Sequence, residues 1–122
     1  TEDMKKIKII DSLDLIRDDI KASFEENYIN VVNSHENKML FIGAVNQYFK
    51  SLQSQGVLYD GADCRAYIDV QSQREWLAQK YDVSDWTDSE VEVANTGSII
   101  FAGADITIQD CIEDLSFKIG LE

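Results

Sequence analysis

The sequence has no proline, one histidine and two cysteines among its 122 residues. Zinc sites need four ligands at recognisable spacings, and His35, Cys64 and Cys111 do not supply such a set. No secretory signal opens the chain, so two cysteines 47 positions apart are predicted to be free thiols. A zinc site and a disulfide framework are therefore not expected.

Basic residues are also scarce, because 11 lysines and arginines stand against 23 aspartates and glutamates, for a net charge of −12. Such a chain repels polyanions, so binding to nucleic acid or to an anionic membrane is not expected. No apolar run approaches the roughly 18 residues of a membrane helix, so membrane insertion is not expected either. The hydrophobic fraction of 44 % is nevertheless that of a folding chain.

The length suits one domain, since domains typically contain about 100–150 residues. The chain begins with threonine rather than methionine, and we expect residues 1–122 to belong to a longer polypeptide. Acidic charge is concentrated at the end: residues 1–56 carry nine acids and seven bases, whereas residues 57–122 carry fourteen and four. The pattern also changes at Gly56, from helical to extended, which indicates two sub-structures of one domain.

Two amphipathic helices are predicted before Gly56, because apolar residues recur there every three or four positions. The first is predicted to start at an Asp11 or Ser12 cap and to end near Asn27. The second is predicted between a Ser34 cap and Gly56. Their predicted buried faces are Ile10, Leu13, Ile16, Ile20 and Phe24 in the first helix, and Met39, Ile42, Val45, Phe49 and Leu52 in the second.

The remainder of the chain favours strands. A strand is predicted at residues 67–70, a short third helix at 72–81, and a β-hairpin at 91–101 that turns at Asn95-Thr96-Gly97. Near the end the apolar positions change from even (Ile106, Ile108, Ile112) to odd numbers, which requires a bulge or bend near Glu113-Asp114 and hence two strands. The odd positions of the last strand are Leu115, Phe117, Ile119 and Leu121.

These elements predict an α+β fold with two amphipathic helices packed against a small mixed or antiparallel β-sheet. The last strand alternates apolar and other residues, and such a strand is suited to completing a sheet in its own chain or in a neighbour. Lys5, Lys6, Arg17 and Lys21 belong to the one basic region of the acidic chain. We consider them a candidate patch for an acidic partner, with ordinary surface balance as the alternative.

No constellation of residues predicts catalysis. His35 lacks an accompanying serine or cysteine motif, so it is expected to be a surface residue at a helix end. Asp82, Asp85, Asp88 and Glu90 have spacings of three, three and two with no glycine, unlike the calcium loop of an EF-hand. A solvated acidic loop is the better interpretation, and no catalytic residue, metal or cofactor is expected.

The sequence resembles the C-terminal domain of contractile-tail sheath proteins, of the type found in Gram-positive myophages and defective prophages. The resemblance covers nearly the whole chain and is carried mainly by core-type residues. These are 10–20 with Phe24, Tyr28 and Ile29, 37–42 and 45–49 with Leu52 and Gly56-Val57-Leu58, and 95–98 with Phe101, Ala104, Ile106 and 112–115.

The resemblance implies a non-enzymatic structural subunit that stacks in rings around a tail tube, in a phage or a bacteriocin-like particle. Its partners would be other sheath subunits, the tail tube protein, and the baseplate and tail terminator, assembled in the bacterial host cytoplasm. It implies that terminal arms add strands to neighbouring sheets, with Leu115, Phe117, Ile119 and Leu121 as the inter-subunit strand. The basic patch would face the tube.

Two alternatives of other classes follow from the residues alone. A small acidic inhibitor or interaction protein would use its carboxylates against a basic partner and would not polymerise. A hydrolase would have to gather Asp82, Asp85 and Asp88 into one pocket.

Overall fold

The computed structural model describes residues 2–28, 33–109 and 113–121. Within them the chain forms four helices and three strands, and the strands make one antiparallel sheet in the order β1-β2-β3. The predicted α+β class is confirmed. The elements are α1 (Glu2–Asn27), α2 (His35–Ser54), β1 (Arg65–Ile68), α3 (Val70–Ala78), α4 (Asp88–Val93), β2 (Ile100–Ile108) and β3 (Glu113–Leu121).

Helix α1 starts at Glu2, well before the predicted cap at Asp11 or Ser12, and ends at Asn27 as predicted. Its buried residues are Ile16, Ile20 and Phe24, with Ile9 and Leu13 packed at the border of the core. Placing Ile10 on the buried face was wrong, because its side chain is 58 % exposed. Ile9 continues the face that Leu13 begins, and Ile10 points about 100° away from it.

Helix α2 agrees closely with its prediction. The hydroxyl oxygen of Ser34 accepts a hydrogen bond from the Asn37 N–H at 3.2 Å and caps the first turn. After the helix ends, Gly56 adopts a φ of 80°, a conformation that favours glycine. Met39 was wrongly assigned to the buried face, since it is 43 % exposed and the neighbouring Lys38 is buried instead.

The main core lies between the two long helices and one face of the sheet. Phe41 of α2 packs edge-on against Phe24 of α1 and against Tyr28, which directly follows α1, with ring centroids 5.6 and 5.0 Å apart. The same core continues to the sheet, where it includes the buried residues Ala66, Ala102 and Ala104. No helix among the described residues carries an apolar stretch long enough to cross a membrane.

The β-hairpin predicted at residues 91–101 is wrong in its first half, which forms helix α4. Thr87 and Glu90 make reciprocal bonds with each other's backbone, a capping box that starts this helix. Val91 then packs with Leu77 and Val83 in a second, smaller core. The third helix and first strand were correctly expected, although β1 and α3 each begin two residues before their predicted positions.

Strands β2 and β3 pair without interruption from Ile100 with Leu121 to Ile108 with Glu113. The two predicted strands are therefore confirmed. The bend is not at Glu113-Asp114, because both residues already belong to the ladder; the chain reverses between Ile108 and Glu113. An antiparallel reversal accounts for the change from even to odd apolar positions, since partner residues share one face of the sheet.

Candidate assembly surface

Strand β3 is at one edge of the sheet and is paired with β2 of the same chain. Three of its four predicted inter-subunit residues, Phe117, Ile119 and Leu121, have side chains buried in the core of this chain. The backbone of Leu115 pairs with Ile106, and its side chain lies outside the described part. The apolar side chains therefore hold β3 on its own domain, and the part of the chain that the structure describes places no strand along its outer edge.

The direction of the backbone groups in β3 follows from one hydrogen bond on the other side of the sheet. The N–H of Asp69 donates to the carbonyl oxygen of Phe101 at 2.9 Å, so the polar groups of Phe101 face β1. Successive residues of a strand direct these groups to opposite sides, so those of Ala102 face its partner Ile119 in β3. Odd-numbered residues of β3 thus bond to β2. The outer edge is formed by the N–H and C=O groups of Asp114, Ser116, Lys118 and Gly120.

Polar side chains also fix β3 to its own chain. The hydroxyl of Ser116 donates to the Asp105 carboxylate at 2.6 Å. The Lys118 ammonium nitrogen lies 3.5 Å from the carboxylate of Asp69, a buried residue that also caps α3. These contacts are on the sheet face opposite the apolar side chains. The outer edge is therefore a firmly supported row of backbone donors and acceptors.

The candidate basic patch is partly integrated into the fold. The guanidinium carbon of Arg17 lies 5.4 Å from the centre of the Phe117 ring, which places α1 beside β3. Arg17 is half-buried, whereas Lys21, one turn further along α1, is exposed. The side chains of Lys5 and Lys6 lie outside the described part of the chain.

Three carboxylates of the acidic loop bind groups of the same chain. Asp82 accepts hydrogen bonds from the Ser84 N–H and hydroxyl at 3.2 and 2.7 Å, and these bonds hold the Asp82 pKa below its usual value. Asp88 forms an ion pair with Arg74 at 2.9 Å, and Glu90 belongs to the capping box. Among the described residues no three metal-binding side chains come together.

The remaining candidates also have structural surroundings. His35 is the first residue of α2, and its Nδ1 is buried with no hydrogen-bond partner among the described residues. Cys64 is a buried free thiol, as predicted. Its sulfur lies 3.4 Å from the Thr107 N–H, which donates to it. Cys111 lies outside the described residues.

The sequence analysis missed a contact at the opposite edge of the sheet. The Oδ1 of Asn46, on α2, accepts a hydrogen bond from the Ala66 N–H of β1 at 2.7 Å, and its Nδ2 lies 3.5 Å from the Ala66 carbonyl oxygen. The sequence carries one signal for this contact. Gln53 follows Asn46 by seven positions, and two turns of helix place both amides on the same face of α2. Gln53 donates to the carbonyl oxygens of Tyr59 and Ala62 at 3.0 Å each.

Comparison with known proteins shows the family of the chain. Residues 1–122 match the family described as phage tail sheath C-terminal domain. The chain is 35 % identical over 120 residues to the tail sheath protein of Clostridium phage phiCD119, covering 97 % of this chain. It spans about a third of that relative's length, 33 %. The chain therefore belongs to the phage tail sheath C-terminal domain family, whose members are structural proteins of bacteriophage tails.

Proposed function

We propose that residues 1–122 act as one domain, the lattice-forming part of a contractile-tail sheath. In this role the chain is a structural subunit and not an enzyme. It assembles with further copies around the tail tube in a phage or phage-like particle, with the baseplate and tail terminator at the ends, after synthesis in the host cytoplasm. Contraction of the lattice then drives the tube through the host envelope.

The outer edge of β3 is the observation that carries this proposal. A strand from a neighbouring subunit can pair with the N–H and C=O groups of Ser116, Lys118 and Gly120, as peptides add to exposed sheet edges elsewhere. Such pairing depends little on side-chain identity, so its register must come from neighbouring pockets and turns. The apolar residues of β3 support this role indirectly, by keeping the edge in place.

A strand connection suits a lattice that has to move without coming apart. Backbone hydrogen bonds along one edge join two subunits while the rest of each domain keeps its own core, so rotation of a domain need not break its fold. Contacts between different surfaces of identical subunits do not close on themselves, and they generate helical arrays. A contact of β3 with another element of the next subunit is of this kind.

Replacing Lys118 by proline tests the strand contact directly. Proline removes an N–H that points to the outer edge and leaves the bonds between β3 and β2 intact, because edge strands tolerate proline there. In the full-length sheath protein we expect Lys118→Pro to abolish assembly, as counted by negative-stain electron microscopy. Lys118→Ala, which loses only the ion pair with Asp69, should assemble. Sheaths of normal length from Lys118→Pro would refute the β3 contact.

We also propose that the basic patch of Lys5, Lys6, Arg17 and Lys21 faces an acidic surface of the tail tube. Lys21 is the suitable test because it is exposed, whereas Arg17 packs on Phe117 and its replacement would disturb β3. Lys21→Glu is expected to weaken co-assembly with the tube most at low salt concentration, and the difference from the wild type should shrink as salt is added, because salt screens exposed charges. Lys50→Glu, an exposed cation on α2, is the matched control. Equal co-assembly of both variants would exclude this tube contact.

A further inference from the structure

The two edges of the sheet differ in how their backbone groups are satisfied. Ala66 is opposite Ala104 of β2, and Ala104 directs its N–H and C=O toward β3 by the alternation described above. The polar groups of Ala66 therefore point away from the sheet, to the outer edge of β1. They meet the side-chain amide of Asn46, whose oxygen accepts the N–H at 2.7 Å.

An amide is well suited to this position because it offers one acceptor and two donors in a plane, like a peptide group. The Asn46 side chain thus occupies the place that the backbone of a neighbouring strand would take. Gln53 extends the arrangement two turns along α2, where it binds the carbonyl oxygens of Tyr59 and Ala62. Helix α2 therefore supplies side-chain partners to the segment that leads into β1 and, within β1, to Ala66.

We propose that Asn46 closes the β1 edge, so that the sheet can take up a strand from a second copy of the protein along β3 only. Exposed sheet edges are general sites of unwanted pairing, and a side chain that satisfies the edge removes the attraction. With one closed and one open edge, each subunit has a single acceptor for a neighbouring strand. This inference rests on the proposed β3 contact for its role in the lattice, but the closure of β1 can be tested independently.

Hydrogen exchange of the Ala66 amide is the first test. Asn46→Ala removes the acceptor, and we expect Ala66 to exchange at least tenfold faster, measured by NMR at low protein concentration. Asn46→Asp keeps an oxygen that can accept this N–H, so protection should remain. Gln47→Ala changes an exposed neighbour and serves as the control, and the amide of Ala104 reports any general loss of stability. Unchanged Ala66 exchange in Asn46→Ala would overturn the inference.

Self-association in a Lys118→Pro background is the second test, because the β3 edge is disabled there. Adding Asn46→Ala should produce concentration-dependent association in sedimentation velocity, whereas adding Asn46→Asp should not. If the Asn46→Ala double variant associates no more than Lys118→Pro alone, Asn46 does not close the edge. The proposed function fails by a different result, normal sheath assembly of Lys118→Pro, so the two failures are distinguishable.

Discussion

The ammonium nitrogen of Lys38 lies 2.8 Å from the hydroxyl oxygen of Thr96, and both side chains are buried. The same hydroxyl donates to the Ile99 carbonyl oxygen at 2.7 Å and accepts from the Asn33 amide at 3.3 Å. The cluster of Asn33, Lys38, Thr96 and Ile99 therefore ties the start of α2 to the segment that enters β2. Its cation has a neutral hydroxyl as partner, which compensates poorly for the loss of hydration.

Replacing Lys38 by methionine is expected to stabilise the chain. Methionine has a similar shape and no charge, and the Thr96 hydroxyl keeps its bonds to Asn33 and Ile99. We expect the free energy of unfolding at pH 7 to rise by about 1 kcal/mol, because methionine has no charge that must lose its hydration when the chain folds. Urea unfolding measures this change, with the exposed Lys50→Met as the control. A loss of stability in Lys38→Met would show that the cation contributes favourably.

Alkaline pH should reveal the same buried cation. Burial lowers the pKa of Lys38, so between its folded pKa and its ordinary value of 10.5 the unfolded chain binds more protons than the folded chain. The stability due to Lys38 therefore rises with pH in this window. The advantage of Lys38→Met over the wild type should shrink as the pH approaches 10.5. A constant difference across the window would contradict the lowered pKa.

Tyr48 has the opposite effect at the upper end of this window, above its ordinary pKa of 10.0, and must be separated from Lys38. Burial and the hydrogen bond to Asp19 raise the Tyr48 pKa above its ordinary value of 10.0, so the folded chain keeps this proton longer. Stability due to Tyr48 is therefore lost as the pH rises above that value. Because Tyr48 is present in both proteins, its contribution cancels when the wild type is compared with Lys38→Met.

Two adjacent residues of α2 should respond very differently to truncation. Phe41 is fully buried and packs against Phe24 of α1, whereas Leu40 is 64 % exposed. Phe41→Ala leaves a cavity and is expected to lower the free energy of unfolding by about 4 kcal/mol. Leu40→Ala should change it by less than about 0.5 kcal/mol. Urea unfolding of both variants checks the comparison, and similar losses would mean that the helix is packed differently.

The acidic loop allows a test by titration. Ser84 provides both hydrogen bonds that lower the Asp82 pKa. Ser84→Ala removes the hydroxyl, so the Asp82 pKa should move up toward its ordinary value in an NMR titration of the side-chain carboxyl. Ser89→Ala in α4 is the control and should leave it unchanged. An unaltered Asp82 pKa in Ser84→Ala would assign the effect to the backbone bond.

Local sequence signals predicted a helix well where both its capping residues and its apolar periodicity were recognised. Ser34, Gly56 and the apolar positions between them defined α2, because capping and helical periodicity depend on residues close in the chain. The same type of signal was overlooked at Thr87 and Glu90, where a capping box starts α4. Val91 and Val93, two positions apart, also fit a strand, and the wrong hairpin followed from that pattern.

The sequence by itself determined the acidic surface, the long helices and the side chains of β3 that face the core. Side-chain alternation decides which face of a strand is buried, but it does not decide which strand pairs with it, because backbone hydrogen bonds form between distant residues of any type. Only the tertiary structure decided that β3 joins β2, with no strand among the described residues on its outer edge. It also placed Asn46 against Ala66 and Lys38 against Thr96, contacts that depend on how α2 lies across the sheet.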